Sequence, residues 1–122
     1  MVAAGLTHAE ASILHNAWVG YESDWLARSR GTAPDVIDAG WEALAVKGLA
    51  VGRTVTAAGL DLRRHIEDET DQLGSLPWQL LGPARSEEFA VRFEPPCELL
   101  LARVDETAGP NYQPASRIRV QP

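Results

Sequence analysis

Arg28, Arg30, Lys47 and Arg53 are the side chains of this sequence with the most to offer a partner, because cations on both sides of one segment suit a phosphate backbone. The segment they flank works against that use. Between Pro34 and Lys47 it carries Asp35, Asp38 and Glu42 against Lys47 alone, a net of −2, and it holds no arginine, asparagine or glutamine to pair with a base edge. Arg53 follows Gly52 at a turn, from which a guanidinium can touch phosphate or a minor groove, or lie in solvent. A second basic group, Arg63-Arg64-His65, runs directly into Glu67, Asp68, Glu69 and Asp71. The spacings Arg63 to Glu67 and Arg64 to Asp68 are i, i+4, which reads as a self-neutralised, solvated helix face.

Other chemistries find little support. His8, His15 and His65 have no second histidine or cysteine at helical spacing, so no metal site is expected, and His15 beside Leu14 and Trp18 reads as a packed, hydrogen-bonded residue. No nucleophile elbow and no glycine-rich phosphate loop is present, and Cys97 has no histidine near it. Glu67 and Glu69 project to different sides of a helix and form no acid/base couple. Catalytic residues and cofactors are therefore not expected, and the sequence does not read as an enzyme. Trp18, Trp25, Trp41 and Trp78 occupy apolar positions of their segments. They read as core, with a ligand or dimer surface at Trp18 and Trp25 as the sharper alternative.

The chain of 122 residues is the size of one ordinary domain, and 45% apolar with 23% charged residues is a globular composition. A formal charge of −6 is the wrong sign for a generic nucleic-acid or anionic-membrane binder. A single cysteine excludes an internal disulfide framework. No apolar run reaches membrane-spanning length, and Met1–Leu6 leads into Thr7-His8-Ala9-Glu10 without a signal-peptide pattern, so a cytoplasmic protein with no membrane partner is expected.

The elements that position these residues are legible from caps and period. Thr7-His8-Ala9-Glu10 is a capping box opening a helix over 8 to about 20, with Ile13, Leu14, Ala17 and Trp18 at helical spacing. Ser23 is expected to cap a short second helix closed by Gly31. Pro34 starts a third, with Val36, Ile37, Trp41, Leu44 and Ala45 on one face and a stop at Gly48. Leu49–Val51 and Thr54–Thr56 read as two short strands about Gly52-Arg53. Thr56 caps a fourth helix expected to end near Leu73, where Gly74-Ser75 breaks it, and Leu76–Leu81 reads as one packed turn. Residues 83–104 fit helix or strand equally, and 105–122 read as a flexible tail. Helix, helix, helix, ribbon, helix is the order of a mainly α winged helix-turn-helix domain with a two-stranded wing, here expected over 1–82 with an irregular extension after it.

The stretches AGLTHAEASILHNAW, DWLARSRG, GWEALAVKGLAV and GRTVTAAGLDLRRHIEDETDQLGSLPWQLLG resemble the C-terminal half of an actinobacterial helix-turn-helix family labelled SalK-like, over roughly 1–82. A helix ending in Gly-Leu, then a wing, then T..G is also similar to the MarR class of winged-helix regulators. Longer members of the family carry a helical N-terminal region before this point, so the chain reads as a stand-alone or shortened half whose exposed surface should self-associate. The resemblance implies a regulator-like protein that binds duplex DNA as a homodimer. Arg53 and the Arg28/Arg30 pair would then contact backbone, with Lys47 at the end of the groove-facing helix. Two rivals stand beside it. One is a protein–protein interaction module that kept the scaffold and lost DNA binding; the other is a sensor of an unnamed small molecule.

Overall fold

A computed structural model of the chain describes residues 4–107. Helix α1, His8–Trp18, starts at the expected capping box: the Glu10 amide donates to the Thr7 hydroxyl at 3.3 Å, and the Thr7 amide donates to the Glu10 carboxylate at 2.7 Å. After Gly20, at φ +71°, comes α2, Trp25–Ser29. Its cap differs from expectation. Asp24, not Ser23, holds the N-cap position, in the left-handed region at φ +51°. The cause lies in α1: buried Asn16 donates to the Tyr21 carbonyl and accepts from the Leu26 amide, both at 3.0 Å, which fixes the path between the helices. An aspartate tolerates the left-handed conformation that this path demands.

Helix α3, Pro34–Val46, begins with proline in its first turn and runs to Lys47 at its C-cap. Its buried stripe is Ile37, Gly40 and Leu44, while Val36 and Ala45 are exposed and Trp41 is half-buried. Gly40 explains the rotation, since it lies where α3 crosses α1. A Cβ there would meet Ile13 Cδ1 at 3.0 Å and Ala9 Cβ at 3.1 Å. Strands β1, Ala50–Val51, and β2, Thr54–Val55, pair antiparallel with Ala50 opposite Val55, and Gly52 at the tip takes φ +55°. The Thr56 hydroxyl then accepts from the Gly59 amide and donates to the Gly48 carbonyl, tying the start of the next helix to the end of α3. Leu6, Ile13, Leu14, Leu44 and Ala50 form the core, with Trp41, Leu49, Val55, Leu62 and Ile66 packed on it.

Helix α4, Ala57–Leu81, continues through Gly74, Ser75 and Pro77 rather than stopping at Leu73. One glycine costs a helix only about 1 kcal/mol. Pro77 removes a donor at an exposed position, where water can take its place. Gly82, at φ +83°, ends the helix, and α5, Pro83–Thr107, settles the ambiguity after it in favour of a single helix that includes Pro95 and Pro96. The tail expected from 105 onward is helical through Thr107; the rest of it lies outside the described residues. The chain divides into two compact units, Met1–Gln72 and Leu73–Pro122. Three helices, a two-stranded wing and the first part of α4, through Gln72, make a winged helix-turn-helix fold in the first unit. In the second unit, Trp78 packs on Phe89 and Phe89 on Phe93, yet no residue of α5 is buried. Leu76–Leu81, expected as a packed turn, is helical and carries exposed Leu76, Leu80 and Leu81. Among the described residues no helix is long and apolar enough to cross a membrane.

Candidate nucleic-acid interface

Helices α2 and α3 with the wing form the surface that a winged helix offers to a duplex. Arg53 sits at the wing tip, and carboxylates hold it there. Its Nη1 donates to Asp24 Oδ2 at 2.6 Å and its Nη2 to Asp38 on α3. The other Asp24 oxygen accepts from the Trp41 indole at 2.8 Å, so one aspartate joins the start of α2, the middle of α3 and the wing. Arg28 donates to the Ser23 carbonyl and lines a hollow of about 220 Å³ with Asp24, Asp38 and Arg53. Two guanidiniums thus face two carboxylates, and the hollow is electrically balanced.

Lys47 serves a different place. Its ammonium donates to Glu10 at 2.6 Å and to the Gly5 carbonyl at 2.9 Å. Glu10 is 1% exposed. Burial pushes its carboxyl up, but Lys47 and the Thr7 amide and hydroxyl outweigh that and hold it below the ordinary 4.5. Arg30, the C-cap of α2, forms no ion pair among the described residues and is exposed. The exposed face of α3 presents Asp35, Asp38 and Glu42 with Val36, Ala39 and Val46 between them. Those apolar side chains can meet a thymine methyl; the acids repel phosphate.

The second basic group departs from the sequence reading. Arg63 does pair with Glu67, at 2.5 Å, but its side chain is only 13% exposed. It lies over the Trp18 ring at 4.7 Å and donates to His15 Nδ1 from Nη2 at 2.9 Å. His15 is therefore the packed, hydrogen-bonded residue expected, stacked on Trp18. Burial and then the Arg63 charge hold its imidazole below the ordinary 6.5, so it is neutral at pH 7. Arg64 pairs with Asp61, not Asp68, at 3.1 Å. Trp18 and Trp25 are half-buried, Trp25 edge-on to Tyr21, and Trp78 is exposed; none of the four tryptophans is fully buried as core. Among the described residues no three histidine, cysteine or acidic side chains are placed to hold a metal.

Sequence reasoning passed over Asp24 and Asn16, which organise this surface. For Asp24 the only signal was a polar residue in the loop before a helix, and for Asn16 a polar residue inside α1; both are common. Residues 1–107 match the profile of a helix-turn-helix family, which carries the likeness past Gly82, where the sequence resemblance stopped. No curated protein and no solved structure matches the chain.

Proposed function

The chain belongs to a helix-turn-helix family, and from that premise we propose that it binds duplex DNA in the cytoplasm, as a regulator-like homodimer of the SalK-like, MarR-related kind. The observation that carries this reading is the helix–turn–helix of α2 and α3 set beside a wing whose tip is an arginine. In the complex α3 faces the major groove, and Arg28, Arg30 and Arg53 meet phosphate. Arg53 must leave Asp24 and Asp38 to do so. Lys47, engaged by Glu10, contributes less.

The homodimer rests on the second unit. Leu73, Leu76 and Leu80 on α4, and Phe93, Leu99 and Leu100 on α5, are exposed, and a helical pair with no buried residue of its own needs a cover. A second copy supplies an identical apolar face at the chain's own concentration.

A second reading is favoured by the carboxylates of α3: an interaction module that keeps the scaffold without binding DNA. Anisotropy of labelled duplex DNA at low and near-physiological salt separates the two. The DNA reading expects binding that weakens with salt and weakens further in Arg53→Ala. Absence of binding at low salt would sink it and leave the interaction module.

A further inference from the structure

His15 joins α1 to the first part of α4 through a contact that only a neutral imidazole can make. Arg63 on α4 donates to His15 Nδ1 from Nη2 at 2.9 Å and from Nε at 3.3 Å. A guanidinium has donors and no acceptor, so Nδ1 must offer a lone pair and the ring proton must sit on Nε2. Trp18 completes the arrangement, its ring 6.0 Å from that of His15 and 4.7 Å from Arg63 Cζ. The charged groups facing the imidazole are Arg63 and Glu67 on α4 and Arg30 on α2, two cations against one carboxylate. From α1 itself, exposed His8 lines the same hollow. Burial first, and then the guanidiniums, oppose a proton on His15.

We propose that His15 is a proton-operated latch: neutral, it keeps α4 on α1; protonated, it turns Arg63 out and loosens α4 while the rest of the first unit stays folded. A proton at Nδ1 sets an N–H against the N–H groups of Arg63 and a positive charge against its charge. Arg63 can leave without losing its ion pair, because Glu67, at 2.5 Å, lies on the same helix and travels with it. Little else restrains α4 at this point. Gly59 is its only buried residue, and Leu62 and Ile66 are half-buried against the core. The movement reaches the wing, since Gly59, one turn before Arg63, sits tight against the Leu49 carbonyl and Val55. The latch stands whether or not the chain binds DNA.

NMR of the full chain from about pH 7.5 to about pH 5 tests it. The His15 ring signals should titrate with a midpoint below 6.5, and the Arg63 Nε–H signal should move with the same midpoint. Over that step, protection against hydrogen exchange, corrected for the intrinsic rate, should fall several-fold in residues 62–70 and stay level in α3. His15→Gln presents an uncharged acceptor at every pH, so its Arg63 signal and α4 protection should not change. Should that variant fold poorly, Arg63→Met serves in its place: with the guanidinium gone, the His15 midpoint should rise. A still Arg63 signal while His15 titrates, or α4 protection unchanged across the step, would overturn the latch. So would a His15 midpoint unmoved in Arg63→Met, or a step that survives in His15→Gln and so belongs to Glu67 or His8.

Discussion

Lys47 and Glu10 meet at 2.6 Å with the carboxylate buried and the ammonium partly exposed, so the two ends of the pair differ in what their loss would cost. Replacing Lys47 by methionine keeps the stem and strands a buried charge. After allowance for solvent around Lys47, a loss of about 1–3 kcal/mol is expected in urea unfolding, with DNA affinity changed far less. His15 sets a pH dependence of its own. Its folded pKa lies below the unfolded 6.5, so the unfolded chain binds more protons as pH falls past that value, and stability declines until the folded value is passed. Glu10, lowered from 4.5, adds a further loss in more acid solution as its folded value is crossed. Unfolding midpoints measured from about pH 7 to about pH 5 should therefore fall, and His15→Gln, which keeps an acceptor for Arg63, should flatten that fall. A midpoint that stays level in the parent protein would contradict the burial argument.

At the level of elements, Gly59 fixes how α4 meets the wing. A Cβ there would lie 2.5 Å from the Leu49 carbonyl oxygen and 2.6 Å from Val55 Cγ1, and a carbonyl cannot step aside as a flexible side chain can. Gly59→Ala should destabilise by about 1–3 kcal/mol, seen as a lower urea midpoint with unchanged m-value. Apart from the cap of α2, the elements up to Thr56 were legible because they carry their own starts and stops: the Thr7/Glu10 box, Pro34, Gly48 and the Gly52 turn act within a few residues. The longer helices were not. Gly74, Pro77 and Pro95-Pro96 are local breakers, but α4 and α5 are exposed there and water can take up the freed carbonyls, so the usual penalty is reduced. Arg53 at the wing tip was readable from Gly52-Arg53, whereas its carboxylate partners were not. Asp24 and Asp38 lie 29 and 15 residues away in sequence, and only the packing of α2, α3 and the wing brings them to it.

For the molecule as a whole, the apolar residues of the second unit predict its association. Phe93→Asp places a charge beside Phe89 on exposed α5, and light scattering should show a dimer in the parent chain and a monomer in the variant. A parent chain that sedimented as a monomer at tens of micromolar would remove the second copy from the proposal. Arg53 has one more effect, on how the protein would count phosphates. Its charge is already matched by Asp24 and Asp38 before any DNA arrives. Moving it to a phosphate frees a counterion from the duplex but bares two carboxylates that recruit cations from solution. Such a transfer is nearly neutral in ions, so salt titration would count fewer contacts than the complex makes. Arg30, with no ion pair among the described residues, would register in full.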